Sequence, residues 1–189
     1  MALGLLKEIP PFEGRTPDWL DAPPYKMWPK EVAAIASVVP AILACLFFYN
    51  MPAGVNPLTV SAYVLVPAVL LTMPLHEVIH ALATPNFGLT RKTRFGFNPN
   101  YGLFCIYLGG LSIPRFRIMA LMPFLILTVF PMVLETMGLG NDFLRVMAAI
   151  NAGVSTMDLV STFTIGKVYP KGSLMAADGN KGIYLPPRS

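Results

Sequence analysis

The sequence predicts a mainly helical integral membrane protein, with about four transmembrane helices and a small cytosolic β-hairpin between the second and third. Three observations predict it. Of 189 residues, 54% are apolar and only 13% charged, a balance that suits lipid as the solvent better than water. From Val32 to Leu75 no residue is charged, which is room for two helices of the roughly 20 residues each needs to cross a bilayer. Pro40, Pro67, Pro74, Pro123 and Pro131 all fall inside apolar runs. They would break soluble helices, but membrane helices tolerate proline because neighbouring groups satisfy the freed carbonyls.

The apolar runs divide into spans over Ala33–Tyr49, Leu58–Leu82, Ile118–Thr136 and Phe143–Ile165. An even number of spans puts both termini on one side. Lys7, Arg15, Lys26 and Lys30 precede the first span. Arg91, Lys92, Arg94, Arg115 and Arg117 lie between the second and third, and Lys167, Lys171, Lys181 and Arg188 follow the fourth. Only Arg145 falls on the other face. Since Lys and Arg accumulate on the cytoplasmic side, that shared face is expected to be cytosolic, in a multi-pass protein of the cell membrane. The net charge of +4 then reads as topology and contact with anionic membrane lipid, with no nucleic-acid partner.

Residues 1–31 form a Pro-rich, mixed-charge cytosolic segment in which no secretory signal is expected, residues 32–168 the membrane domain, and residues 169–189 a cytosolic tail. Within the long cytosolic connection, Arg94–Asn98 and Leu103–Leu108 flank Pro99-Asn100-Tyr101-Gly102. This reads as a hairpin at about 94–108 with a turn-forming centre. The N-terminal segment and the Gly-rich tail after Val168 are expected to be irregular or interfacial. Cys45 and Cys105 are the two cysteines, too few for a disulfide framework or a cysteine-based zinc site.

Chemistry concentrates at His76-Glu77-Val78-Ile79-His80, which holds both of the protein's histidines. On a helix, His76 and His80 project from one face and can share a metal ion, while Glu77 stands beside them as a general base for metal-bound water. Three ionisable groups within five residues of a span are costly, and mark a site more often than a packing patch. A catalytic zinc takes three protein ligands and keeps one position for water. Depth selects Asp158 as the third, since it lies about two turns from the cytosolic end of its span, as the histidines do from theirs, at about 1.5 Å per residue. Glu135 and Asp142 fall near or beyond the outer boundary. Asn151, Ser155, Asp158 and Thr162 are spaced by four, three and four, which makes a polar stripe expected to face the motif. Ser155 and Thr162 read as packing hydrogen bonds. Asn151 could donate to a substrate carbonyl or serve as a plain interhelical hydrogen bond.

These residues resemble membrane zinc proteases of the site-2 protease type and, more closely, a zincin-peptidase membrane family. The likeness rests on His76 to His80 followed by Ala81-Leu82, on Arg94-Phe95-Gly96-Phe97, on Ile113-Pro114-Arg115-Phe116 leading into Ala120-Leu121-Met122-Pro123-Phe124, and on Asn151 to Asp158. Met157 stands where such families often carry Gly before the liganding Asp, and no Asn-x-x-Pro pattern follows Asn151. The resemblance implies one zinc ion held by His76, His80 and Asp158, with Glu77 as catalytic base and a hairpin near the site. The expected activity is hydrolysis of a peptide bond, in a membrane-protein or peptide substrate, in or near the membrane. A substrate strand could add to the hairpin edge near Arg94–Asn98. The rival is a non-catalytic zinc-binding adaptor or scaffold, whose structural site would be closed by a fourth protein ligand. Cobalt, manganese or iron would also accept this donor set, and a homo-oligomer stays open.

Overall fold

The computed structural model describes residues 6–22, 30–51, 60–99, 102–179 and 181–187. The expected start of the second span at Leu58, the outer connection over 52–57 and the turn residues Asn100 and Tyr101 lie outside the described residues. The described chain is mainly helical. Its helices are α1 (Lys30–Tyr49), α2 (Ala62–Ala83), α3 (Ile113–Phe124), α4 (Phe130–Thr136), α5 (Asp142–Val154) and α6 (Thr156–Val168). A π-helical stretch, Leu125–Val129, joins α3 to α4. Six short strands complete it: β1 (Leu20–Asp21), β2 (Thr93–Asn98), β3 (Gly102–Tyr107), β4 (Leu111–Ser112), β5 (Leu174–Asp178) and β6 (Lys181–Leu185).

Two helical stretches, Ala62–Ala83 and Ile113–Thr136, are long and apolar enough to cross a membrane. The α5–α6 pair adds a third if it forms one bent span, and Ile35–Tyr49 is apolar but shorter. By length and composition the described helices therefore give two or three candidate spans where the sequence suggests four. Their outward faces are apolar: Ile35, Val39 and Leu43 on α1 are exposed, as are Val66, Leu70 and Leu71 on α2. Apolar surface of this kind is unusual on a soluble monomer.

Contacts group the chain into two compact units, one of residues 28–76 and 121–160, the other of 1–27, 77–120 and 161–189. The division falls within α2, after His76, and within α6, after Val160; both helices continue through it.

In the helical unit, α1 packs on α5 through small residues. Ala44, Ala149 and Ala152 form a buried cluster, and a Cβ added at Gly153 would come within 2.9 Å of the Ser37 carbonyl. Small side chains let two helix backbones approach and gain dispersion contacts where hydrocarbon offers no hydrophobic drive. Asn141 caps α5 by accepting from the Leu144 amide at 3.0 Å. Close by, buried Arg145 donates through Nε and Nη2 to the two carboxylate oxygens of buried Glu135, at 2.8 and 2.9 Å. Its Nη1 reaches Asp142 at 2.7 Å. This pairing neutralises locally the one basic residue outside the set expected to face the cytosol.

The single fourth span expected over Phe143–Ile165 is instead two helices, bent by 42° at the break between Val154 and Thr156. The break is at Ser155, with Gly153 two residues before it, and Gly and Ser pairs are common causes of sharp kinks. Ser155 itself, at ψ −4°, ends the regular α-helix.

The second unit carries the strands. β2 and β3 form an antiparallel hairpin in the register Phe95 to Cys105 and Gly96 to Phe104, within a residue of the runs read from sequence. The tail after Val168, expected to be irregular, forms β5 and β6, which with β1 and β4 make a four-stranded sheet in the order β1-β6-β5-β4. Gly179, at φ +59°, supplies the left-handed backbone that a two-residue hairpin loop between Asp178 and Lys181 requires. Ala176 and Ile183 bury against Trp19, with Phe12 packed on them. The N-terminal segment is tied here as well: the Phe12 amide donates to Asp178 at 2.8 Å, and Arg15 bridges Asp178 and Asp21. The Phe12 amide first, and Arg15 second, hold the Asp178 carboxyl below its ordinary range.

Two outcomes follow. Glu135→Ala strands the Arg145 charge in a buried position and is expected to cost about 3 kcal/mol, read as a lowered unfolding midpoint in detergent. A carboxyl whose folded pKa is depressed stabilises above its unfolded pKa and loses that contribution as pH falls through the folded value. The protection of the Phe12 amide from exchange, relative to an unstructured amide at the same pH, should therefore fall only as pH drops through that lowered value, below the ordinary carboxyl range of about 4, and Asp178→Asn should remove that dependence.

Candidate metal centre

α2 is a 22-residue helix that turns one polar patch inward from an otherwise apolar surface. His76, Glu77 and His80 are all buried, and the spacing of four puts both imidazoles on one face. What fixes their rings is found on the elements beside them.

His76 is held on both sides. Its Nδ1 lies 2.8 Å from Asn151 Oδ1 and its Nε2 lies 3.1 Å from Asp158 Oδ2. Asn151, on α5, is fully buried. Its amide Nδ2 donates toward the Pro123 carbonyl at 3.0 Å, the Thr128 hydroxyl at 3.0 Å and the Ser155 hydroxyl at 3.2 Å. A carbonyl can only accept, so Pro123 sets which end of the amide is nitrogen, and Oδ1 must face the ring. His76 therefore carries its proton on Nδ1, and its Nε2 lone pair points at the carboxylate of Asp158. Two acceptors 3.1 Å apart repel unless a cation, a proton or a metal, lies between them.

His80 repeats the arrangement with a different partner. Its Nδ1 lies 2.8 Å from the carbonyl of Met119 on α3. That contact again places the proton on Nδ1 and makes Nε2 the nitrogen that can serve as a metal ligand. Donation of the second ring nitrogen to a fixed acceptor is the usual way proteins orient metal-binding histidines.

One ligand atom each from His76, His80 and Asp158 lie within 4.8 Å of one another. Asp158 reaches this position from the first turn of α6, just past the break at Ser155. Among the described residues no fourth His, Cys, Asp or Glu joins the group, so three protein ligands would leave a position open. The 3.1 Å between Nε2 and Oδ2 is close to the roughly 3.3 Å edge of a tetrahedron with bonds of about 2.0 Å, the size zinc adopts with nitrogen and oxygen.

Residues 69–174 match the model of a family described as Putative zincin peptidase, over more than half of the chain. The chain belongs to this family. The zincin match runs from within α2 to the start of β5 and so contains all of His76, Glu77, His80, Asn151 and Asp158. The family implies zinc, and the donor set on α2 and α6 fits it. Comparison with curated proteins and with solved structures gives no match.

Other residues named from sequence fall elsewhere. Glu135 and Asp142 are engaged with Arg145. The Thr162 carbonyl accepts from Arg117 Nε at 3.1 Å. Cys105, on β3, has its thiol pushed up to about 12, mainly by burial and further by the negative charge of Glu77, which keeps it protonated and unlike a thiolate ligand. Two partners escaped the sequence reading. Thr128 sits in the π-helical stretch, where its hydroxyl donates to the Ala148 carbonyl and accepts from Asn151; a π-bulge often marks a functional site, but nothing local in the sequence announces one. The Met119 carbonyl is backbone, and no residue type signals it.

Loss of the Asn151 amide releases the His76 ring. Asn151→Ala is expected to weaken zinc affinity by about 10- to 100-fold, measured by competition with a chelating indicator in detergent.

Proposed function

We propose that this protein is a membrane-embedded zinc metalloprotease of the site-2 protease kind, which hydrolyses peptide bonds in or beside the membrane. The observation that carries the reading is the convergence of two imidazoles and one carboxylate within 4.8 Å of one another, with Glu77 next to His76 on the same helix. When bound there, zinc would supply a Lewis acid that polarises a carbonyl and makes water acidic near neutral pH.

The chain's own residues supply the rest. Glu77 is the general base: its carboxylate takes the proton from the attacking water and passes it to the leaving amine. His76, His80 and Asp158 are the ligands. Asn151 is a positioning residue, since its two amide hydrogens already serve three acceptors and its oxygen holds His76. That engagement favours the interhelical role over donation to a substrate carbonyl. The apolar faces of α1, α2 and the α3–α4 span support a multi-pass membrane protein, and the distribution of basic residues supports cytosolic termini. Substrates on this reading are membrane proteins or peptides, presented as an unwound segment because a helical backbone hides its carbonyls.

The non-catalytic adaptor is less well supported, because a structural zinc site is usually closed by four protein ligands and three converge here. The test pairs metal analysis with turnover. Wild type should hold about one zinc per chain, lost in His80→Ala and in Asp158→Ala. Glu77→Gln should keep the zinc and lose at least about 100-fold in cleavage of a membrane-peptide library. Undiminished turnover by zinc-loaded Glu77→Gln would sink the mechanism, and a zinc-loaded wild type that cleaves nothing would favour the adaptor.

A further inference from the structure

The hairpin edge that could accept a substrate strand already has an occupant. Leu6 lies in a parallel bridge with Gly96 of β2. The Leu6 amide donates to the Phe95 carbonyl at 2.9 Å, and the Phe97 amide donates to the Leu6 carbonyl at 2.9 Å. These are the two bonds an added parallel strand makes to an edge. β2 gives its other edge to β3, so Leu6 takes the outer one. Gly96 makes the approach feasible, since a Cβ there would stand 2.7 Å from the Leu6 carbonyl oxygen and closer still to the Phe104 ring.

Two further observations bear on what this contact does. Phe95 is directly opposite Cys105, the residue whose thiol is raised in part by the charge of Glu77. Leu6 is bonded to the residues on either side of Gly96, one position along β2 from the Phe95–Cys105 pair. The attachment is also local. C-terminal to it, Pro10–Gly14 lines a cavity of about 510 Å³ together with Arg91, Lys92 and Arg94, and the next backbone anchors are the Pro10 carbonyl, which accepts from the Gly179 amide at 3.2 Å, and the Phe12 amide on Asp178. At Leu6 itself, among the described residues, two backbone bonds hold the segment to β2, and both can break without unfolding the sheet behind it.

We propose that the N-terminal segment around Leu6 is an internal competitor for the strand-accepting edge of β2, and that the external ligand of this edge is an extended peptide with a large aliphatic residue at the Leu6 position. Its consequence for cleavage rests on the hydrolase reading above; its consequence for peptide binding does not.

The probe is a fluorescein-labelled peptide with the sequence of residues 1–14, titrated by anisotropy against the full-length protein in detergent and against a variant lacking residues 1–9. The truncation removes Leu6 but keeps Phe12, Arg15 and Trp19. A tethered competitor acts at millimolar effective concentration, so truncation should tighten peptide binding by at least about tenfold. The same peptide N-methylated at its Leu6 nitrogen lacks the donor to the Phe95 carbonyl and should lose that gain, with the protein untouched. Equal binding by full-length and truncated protein, or equal binding of the N-methylated peptide, would overturn the inference. Tighter binding after truncation with no hydrolysis would retain it and count against the protease instead, whereas hydrolysis with unchanged binding would do the reverse.

Discussion

One imidazole ring organises this protein. His76 is gripped at Nδ1 by the last part of α5 and approached at Nε2 by the first turn of α6, so the two helices that follow Asn141 are set by what they must present to a side chain on α2. The grip has depth. Asn151 could not orient the ring if its own amide could turn over, and it cannot, because the Pro123 carbonyl accepts from it. The Thr128 and Ser155 hydroxyls complete the set of acceptors. A buried amide with every group satisfied is a rigid support, and the same amide with one partner missing would cost roughly 1–3 kcal/mol. The break at Ser155 belongs to this support, since it ends the helix carrying Asn151 and starts the one carrying Asp158.

Among the described residues of the helices, the buried ionisable groups gather in two places, and they are built differently. At the metal centre, acceptors face one another and call for a cation. At the far end of α5, Arg145 and Glu135 already neutralise each other in a bidentate pair. One cluster is an ion pair whose charges cancel, and the other is a donor set that fits a metal ion. Buried ion pairs alone are weak evidence for either stability or function.

Much of this was legible in the sequence, for identifiable reasons. The motif on α2 could be read because helical spacing of four is independent of tertiary context, and Asp158 because a depth estimate needs only span ends and the helical rise. The β2–β3 hairpin announced itself through short aromatic runs around Pro99 and Gly102. The C-terminal hairpin was missed although Asp178-Gly179-Asn180-Lys181 carries a two-residue turn signal; the Gly content of the tail drew attention away from the alternation of Ala176 and Ile183 with more exposed neighbours. The break at Ser155 was hidden because Asn151, Ser155 and Asp158 keep helical spacing across it. The partners of the two histidines were largely out of reach, since a backbone carbonyl on α3 and a hydroxyl in a π-helical stretch leave no mark in residue type.

The sulfur on β3 has a chemical consequence of its own. With its thiol pushed up to about 12, mainly by burial, Cys105 stays a thiol at neutral pH. Peroxides and alkylating reagents attack the thiolate, so this residue would be slow to oxidise and slow to modify. The hairpin thus keeps a potentially soft metal ligand chemically silent, and a hydrolytic centre beside it would not depend on a reducing environment to stay intact.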